Sequence, residues 1–417
     1  MKSKISLRSS LIVALNKNLV LKNFIKFFYY NFFYWIGSAL GKRRVSLSTK
    51  SEARLRIFGK NSSFFGYYDF IPLNNGLVIY HELVDDTKKM PPDLVMVYIY
   101  VEEVSGGHRQ LVAKTPCFNL QQGARTNWLD GGVIYNTAGN AGEPLTVVAN
   151  AHLEATKLAS GWHYQTHDNH RLYFVNYYHI AGLRPDYGYF NSVKYFSEAQ
   201  AINAISTMKV GSCGDPEIVI TEDLLRERFG ISSEIGVELN HLMPSPDGAG
   251  FVFILRRHWE RKRDGVLLYY DNQSGSLKQL TPFGIVSHVA WRSSSTLFGY
   301  FQTDELGLTY QSLDVNTGEI EDFSWITAIT KGDGHPSFAS RDVLFTDTYP
   351  DKYGIQRLFR VDLALRTVET VLENFHNNDF RGETRCDFHP RAVDDHSVFV
   401  DAIVQGVRKL VYLQLKP

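Results

Sequence analysis

The chain has 417 residues, 44% hydrophobic and 21% charged, the balance of a soluble globular protein with ample core. Its zero net charge hides a split: residues 1–50 carry ten Lys and Arg and no Asp or Glu, leaving 34 basic against 44 acidic residues beyond them. A neutral-to-acidic body excludes the basic stripe of a nucleic-acid-binding domain, and 13% aromatic content leans towards strands.

Residues 19–40, LVLKNFIKFFYYNFFYWIGSAL, are rich in large aromatics but interrupted by Lys22, Asn23, Lys26 and Asn31, and Lys42, Arg43 and Arg44 follow. The interruptions argue against a clean transmembrane span. A short apolar run, Leu11 to Leu15, with no small-residue cleavage site after it, argues against a signal peptide. Lys can snorkel while Phe, Tyr and Trp settle at headgroup depth, so residues 1–50 read as an amphipathic, membrane-interfacial helical segment. It would be drawn to an anionic membrane surface, placing the protein in the cytoplasm, peripheral to the inner membrane. A helix packed on the side of the following domain and a true span are the alternatives. Cys117, Cys213 and Cys386 are widely separated and odd in number, which suits a reducing compartment.

Residues 51–417 are organised by a repeat. Its clearest copy is NHLMPSPDGAGFVFILRR at 240–257, a short strand, a Pro-Asp-Gly turn and an apolar strand, followed by GVLLYYDNQSGSLKQL with its own Ser-Gly turn. Four strands with tight turns make one propeller blade. Related units begin at 68, 125, 162, 287, 334 and 388, giving seven. The last four start 47 to 54 residues apart, whereas about 80 separate the third from the fourth. That excess predicts a partly helical insertion at about 190–235, with helices around 196–206 and 221–229. The fold class is therefore all-β, a seven-bladed β-propeller with an N-terminal amphipathic helical segment. Pairing of SEARLRIFG at 51–59 with the terminal KLVYLQLK would close the ring and remove a sheet edge.

Alignment on Gly248 puts His241, His288, His335 and His389 at one shared position, at the start of the innermost strand of blades four to seven. Four imidazoles converging at one rim could ligate a divalent metal such as Mn or Zn; alternatively each braces its own strand. Their polar companions include Glu238, Asn240, Asp333, Arg385, Asp387, Tyr68, Asp69, Arg125 and Gln122. His241, His335, His389, Asp69, Tyr68 and Arg385 are the catalytic candidates, as general acids, bases or charge stabilisers. Arg125, Asn240 and Gln122, with Arg184, Tyr187 and Tyr189 of GLRPDYGY, are candidates for binding saccharide. Strand capping is the alternative role for Asp333 and Asp387. TDTYPD at 346–351 follows a second strand and reads as structural, towards the opposite end of its blade. No phosphate-cradling loop, dinucleotide fingerprint, GxSxG elbow or HExxH is present, so no nucleotide-binding motif is found and a nucleotide-sugar transferase of the usual Rossmann-like architecture is excluded; a propeller with that activity would need another donor site.

The phrases FFGYYD at 64, FNLQQGARTNWL at 118, GLRPDYGY at 182, NHLMPSPDG at 240, DGHPSF at 333, TDTYPD at 346 and RCDFHPR at 385 resemble a group of β-propeller proteins related to oligogalacturonate lyase. That group includes relatives from bacterial surface-polysaccharide loci labelled glycosyltransferases. The resemblance implies a carbohydrate-active protein acting on an oligosaccharide or lipid-linked glycan in capsule or O-antigen assembly, with glycosyl transfer as its reaction. A metal-dependent uronate lyase and a noncatalytic propeller scaffold are the alternatives. In the lyases, several His and a Gln hold manganese; here the His come one per blade, so those ligands do not transfer residue by residue.

Overall fold

A computed structural model describes residues 28, 32–37, 47–66, 70–84, 87–88, 95–167, 170–189, 202–212, 214–259 and 262–416. Tyr68 and Asp69 lie outside the described residues, as do Cys213 and most of the N-terminal segment. Seven antiparallel sheets make up the body. Blade 4 shows why they form: Gly236–Pro244, Gly250–Trp259, Lys262–Asp271 and Leu277–Gln279 are neighbours in that order. Strand residues alternate in direction. Phe251, Phe253 and Leu255 accordingly pack with residues of blade 3, while Val252 and Ile254 pack with blade 5. A blade buried on both faces needs the continuous apolar run seen here, and all five side chains are fully buried.

Blades 5 and 6 repeat this plan with innermost strands Val286–Trp291 and Ser337–Phe338. In blade 7, Arg391–Asp394, Ser397–Val404 and Val407–Leu415 are completed by Ala53–Ile57 as the outermost strand, with Ala53 opposite Leu415 and Ile57 opposite Val411. The first and last strands of the body thus close the ring. Ser48–Thr49 adds to the outer edge of blade 6, a pairing the repeat did not foretell.

Blade 3 absorbs the extra length. Between its second and third strands, Arg171–Val175 and Ala204–Lys209, lie the helix Tyr177–Leu183 and the turn Pro185–Tyr187. Asn176 caps that helix by accepting from the Tyr178 and His179 amides. The helix Glu222–Phe229 follows, capped by Thr221 and ended by left-handed Gly230. The expected helix at 196–206 is corrected where it is described: Ala204–Lys209 is a strand, since Ile205 and Thr207 favour extended backbone and pair with Val175 and Tyr173. Residues 190–201 lie outside the described residues. Among those described, no helix is long and apolar enough to cross a membrane.

Two fully buried histidines give the propeller an acid-sensitive interior. Burial lowers the pKa of His81 to about 4, and burial with the Arg125 charge lowers that of His163 to about 3. Each stays neutral in the folded chain where the unfolded chain takes up a proton. Their contribution is therefore complete above the ordinary value of 6.5 and is lost as pH falls from there towards 4 and 3. The loss is about 1.4 kcal/mol per histidine per pH unit in that window. Urea midpoints should fall steeply between neutral pH and about pH 5, less so in His81→Gln; midpoints flat across that range would contradict these buried neutral states.

Candidate functional site

One rim is built by a recurring clasp, in which a buried polar side chain on the second strand of a blade holds the backbone where the next blade begins. His81 Nε2 accepts from the Ala124 amide at 3.0 Å, Asn136 exchanges bonds with His163 N and O, and Arg256 donates to Val286 O at 2.9 Å. Asp401 accepts from the Phe65 and Gly66 amides, and Asp347 accepts from the His389 amide at 3.2 Å. An antiparallel second strand returns to the end where the first began, so its last residues reach the same rim. This corrects the reading of TDTYPD: its Asp347 lies among the histidines, not at the far end.

The rim loops pack closely. Gly66 has φ +94°, and a Cβ there would come within 2.6 Å of the Gln122 carbonyl carbon, so FFGYYD requires glycine at that place. Buried Arg408 donates to the carbonyls of Leu120, Thr384 and Arg385, tying the loop before blade 2 to the loop before blade 7.

Against this frame stand the four aligned histidines, all buried. Ring centroids are 5.4 Å apart for His241 and His288, 4.1 Å for His288 and His335, and 4.3 Å for His335 and His389. His241 and His389 have φ of 52° and 43°, left-handed values that cost a non-glycine residue roughly 1–2 kcal/mol. Such strain persists where surrounding bonds over-determine it; here Tyr164 Oη accepts from the His241 amide and Asp347 from that of His389.

Asp347 also takes the His335 amide at 2.7 Å and faces His335 Nδ1 at 2.8 Å. A carboxylate there places the imidazole proton on Nδ1 and leaves Nε2 as the ligand atom. Burial first, then the Arg256 charge for His241 and the adjacent His335 and Arg391 for His389, holds both imidazoles well below their ordinary pKa. Burial and His335 lower His288 to about 4. His241, His288 and His389 are thus neutral near pH 7, as metal ligation requires.

Among the described residues, one group could hold a metal: His335, Asp387 and His389 offer ligand atoms all within 4.8 Å of one another. Of the four aligned histidines this group contains His335 and His389, joined by Asp387. Burial raises the Asp387 pKa, but Arg385 and His335 outweigh it and keep the carboxyl below its usual range. Arg385 Nε donates to its Oδ2 at 2.5 Å, while buried Oδ1 has no hydrogen-bond partner among the described residues. Two imidazoles and a carboxylate with a spare oxygen fit Mn²⁺ or Zn²⁺. Asp333 instead accepts from Ser287 Oγ and lies 3.6 Å from His288 Nδ1, an orienting contact.

Two cavities border the row. One, of about 460 Å³, occupies the channel and is lined by His241, His288 and His335 with Phe70, Trp291 and Arg391. The other, of about 420 Å³, lies beside His241 and His288 and is lined by Arg184, Arg256, Arg263 and Arg385 with Tyr187 and Tyr349. Arg184 is held bidentately by Asp186 at 2.9 and 2.7 Å, and Tyr187 Oη accepts from Arg385 at 3.2 Å. Four guanidinium groups around one cavity suit a carboxylate or phosphate.

Other sequence candidates stand behind this surface. Arg125 is 1% exposed, its guanidinium between the Phe70 and Tyr164 rings at 5.0 and 4.8 Å, so it does not reach either cavity as a saccharide clamp. Tyr189 is fully buried and stacks on Tyr177 at 4.4 Å, a core contact that corrects its reading as a binding residue. Gln122 donates to Tyr164 Oη, and Asn240 accepts from Arg256 at 3.3 Å; both support the rim from behind. Gln121, next to Gln122, donates to Arg385 O at 3.0 Å across the rim. Asp347, Tyr349, Arg256 and Arg263 escaped the sequence reading; their signal was position at or just past the rim end of a second strand, in Arg256 and Asp347 most plainly.

No protein-family model and no curated protein sequence matches the chain. Solved structures do. The chain is similar to the β-propeller domain of the trilobed protease from Pyrococcus furiosus, at 10% identity and TM-score 0.50, covering 84% of this chain and 95% of that one. It is similar to an oligogalacturonate lyase in complex with manganese, at 12% identity and TM-score 0.41, covering 88% and 99%. TolB from Acinetobacter baumannii matches at 13% identity and TM-score 0.41; the chain covers 63% of it, with 72% of this chain matched. What the chain shares with the trilobed-protease domain is the fold. The seven sheets make this chain a β-propeller.

Proposed function

We propose that the rim is a carbohydrate-active site that binds an acidic saccharide beside a divalent ion held by His335, Asp387 and His389. The observation that carries this reading is the adjacency of that ligand group to a cavity lined by four arginines. A divalent ion there would draw electron density from a coordinated carboxylate or phosphate oxygen. The chain's own residues suit proton removal beside a uronate carboxylate. Arginines neutralise the carboxylate, which makes the adjacent C–H more acidic. His241, neutral and bordering both cavities, accepts that proton. The released electron pair forms a carbon–carbon double bond as the bond to the glycosidic oxygen breaks, and Tyr187 Oη supplies the proton that oxygen takes up.

Uronate oligosaccharides incubated with the protein and Mn²⁺ should give an unsaturated product absorbing in the ultraviolet, lost in His241→Gln. Absence of product from every uronate polymer would end the lyase reading.

Glycosyl transfer to a lipid-linked saccharide in surface-polysaccharide assembly is the second reading. It is favoured by the basic, aromatic N-terminal segment, whose described part packs at the same end as the histidine row. A His335→Gln strain would then lose polymer and accumulate lipid-linked precursor. Normal polymer in that strain, with no elimination product from the protein, would leave a noncatalytic scaffold.

A further inference from the structure

Residues 32–37 are helical and pack on blade 6 through one side only. Tyr34 Oη donates to Asn377 Oδ1 at 2.8 Å, and its ring lies 5.6 Å from Phe375. The Phe33 ring meets Tyr353 edge-on at 5.9 Å, with the Lys352 ammonium 4.6 Å above Phe33. All these partners belong to the rim of the histidines. Lys352 and Tyr353 lie in the turn that leaves Asp347, Phe375 ends the strand Thr367–Phe375, and Asn377 opens the loop leading to Asp387 and His389.

Among the described residues, the other side of the helix is exposed. Phe32 is 57% and Trp35 67% exposed, and a spacing of three residues puts them on one face. The segment that carries them has ten basic and no acidic residues over 1–50, with Lys42, Arg43 and Arg44 soon after the helix. Aromatic rings flanked by cations match the headgroup region of an anionic bilayer, where rings settle at the interface and cations meet lipid phosphate.

We propose that the Phe32–Trp35 face docks on an anionic lipid surface and that its anchorage to blade 6 turns the histidine rim towards the bilayer. The orientation follows from where the helix is anchored and does not depend on the reaction the rim performs.

The test uses the full chain with phosphatidylcholine vesicles, with and without phosphatidylglycerol. Flotation should occur with phosphatidylglycerol and weaken as salt is raised. Phe32→Ser/Trp35→Ser should lower the bound fraction about tenfold or more at unchanged melting temperature. Hydrogen exchange of the bound protein should slow at 348–354 and 376–385, and stay unchanged at the opposite-end turns 292–295 and 363–366. The proposal is overturned by absence of binding, by binding that ignores the double substitution, or by protection at the opposite end. It is equally overturned by a vesicle-independent dimer that the double substitution dissolves, which would assign the face to a second copy of the chain. Metal content, measured alongside, reports on the rim separately and should be the same in the double variant.

Discussion

Asp347→Ala should destabilise the propeller by about 3 kcal/mol or more and weaken divalent-metal binding by roughly 10–100-fold. The carboxylate is fully buried and accepts from the amides of both His335 and His389 while facing His335 Nδ1. Alanine leaves two backbone donors and an imidazole proton without their acceptor, and each unsatisfied buried donor costs about 1–3 kcal/mol. It also frees the His335 ring to turn and lets the left-handed backbone at His389 relax, moving both nitrogen ligands. Urea unfolding and titration with Mn²⁺ measure the two effects together. Wild-type stability and affinity in Asp347→Ala would show that the two-blade clasp does not set the site.

The second large effect belongs to Arg385. Its Nε holds Asp387, which is 1% exposed, and its Nη2 reaches Tyr187 Oη. Arg385→Ala leaves a buried carboxylate without its counter-charge, a loss of about 3 kcal/mol. The sign of the pH effect follows from the opposing influences on Asp387. Burial alone raises its pKa, and Arg385 leads the charges that bring it below the usual range. Without that guanidinium the carboxyl keeps its proton to higher pH, so the midpoint for metal binding should move upward in pH. Arg385→Lys should recover part of the stability but little acidic-saccharide affinity, because an ammonium lacks the planar fork. An unchanged binding midpoint in Arg385→Ala would place Asp387 outside the ligand set.

The ring and its closure were legible in the sequence because each blade carries a turn between apolar strands, and because SEARLRIFG and KLVYLQLK both read as strands. The histidines were legible because one residue type recurs at one register position in four consecutive blades. Register also explains what was missed. A side chain on a second strand shares the rim with the start of the first strand, yet lies twelve residues away in the case of Asp347 and His335, and no local pattern joins them. The misreading of TDTYPD came from counting along the chain where the antiparallel hairpin folds it back. Arg125 and Tyr189 looked like binding residues because both types bind sugars; their burial depends on Phe70, Tyr164 and Tyr177, which reach them only in the closed ring. The arginine cavity draws on blades 3 to 7, and only the fold assembles it.

The central claim is that His335, Asp387 and His389 form a divalent-metal centre beside a cationic cavity. Anomalous diffraction from crystals of the full chain grown with Mn²⁺ tests it directly. A single strong peak bonded to His335, Asp387 and His389, and absent in Asp387→Asn crystals, is the predicted result. A protein that takes up no Mn²⁺, or that places it between His241 and His288 or away from the rim altogether, would contradict the account.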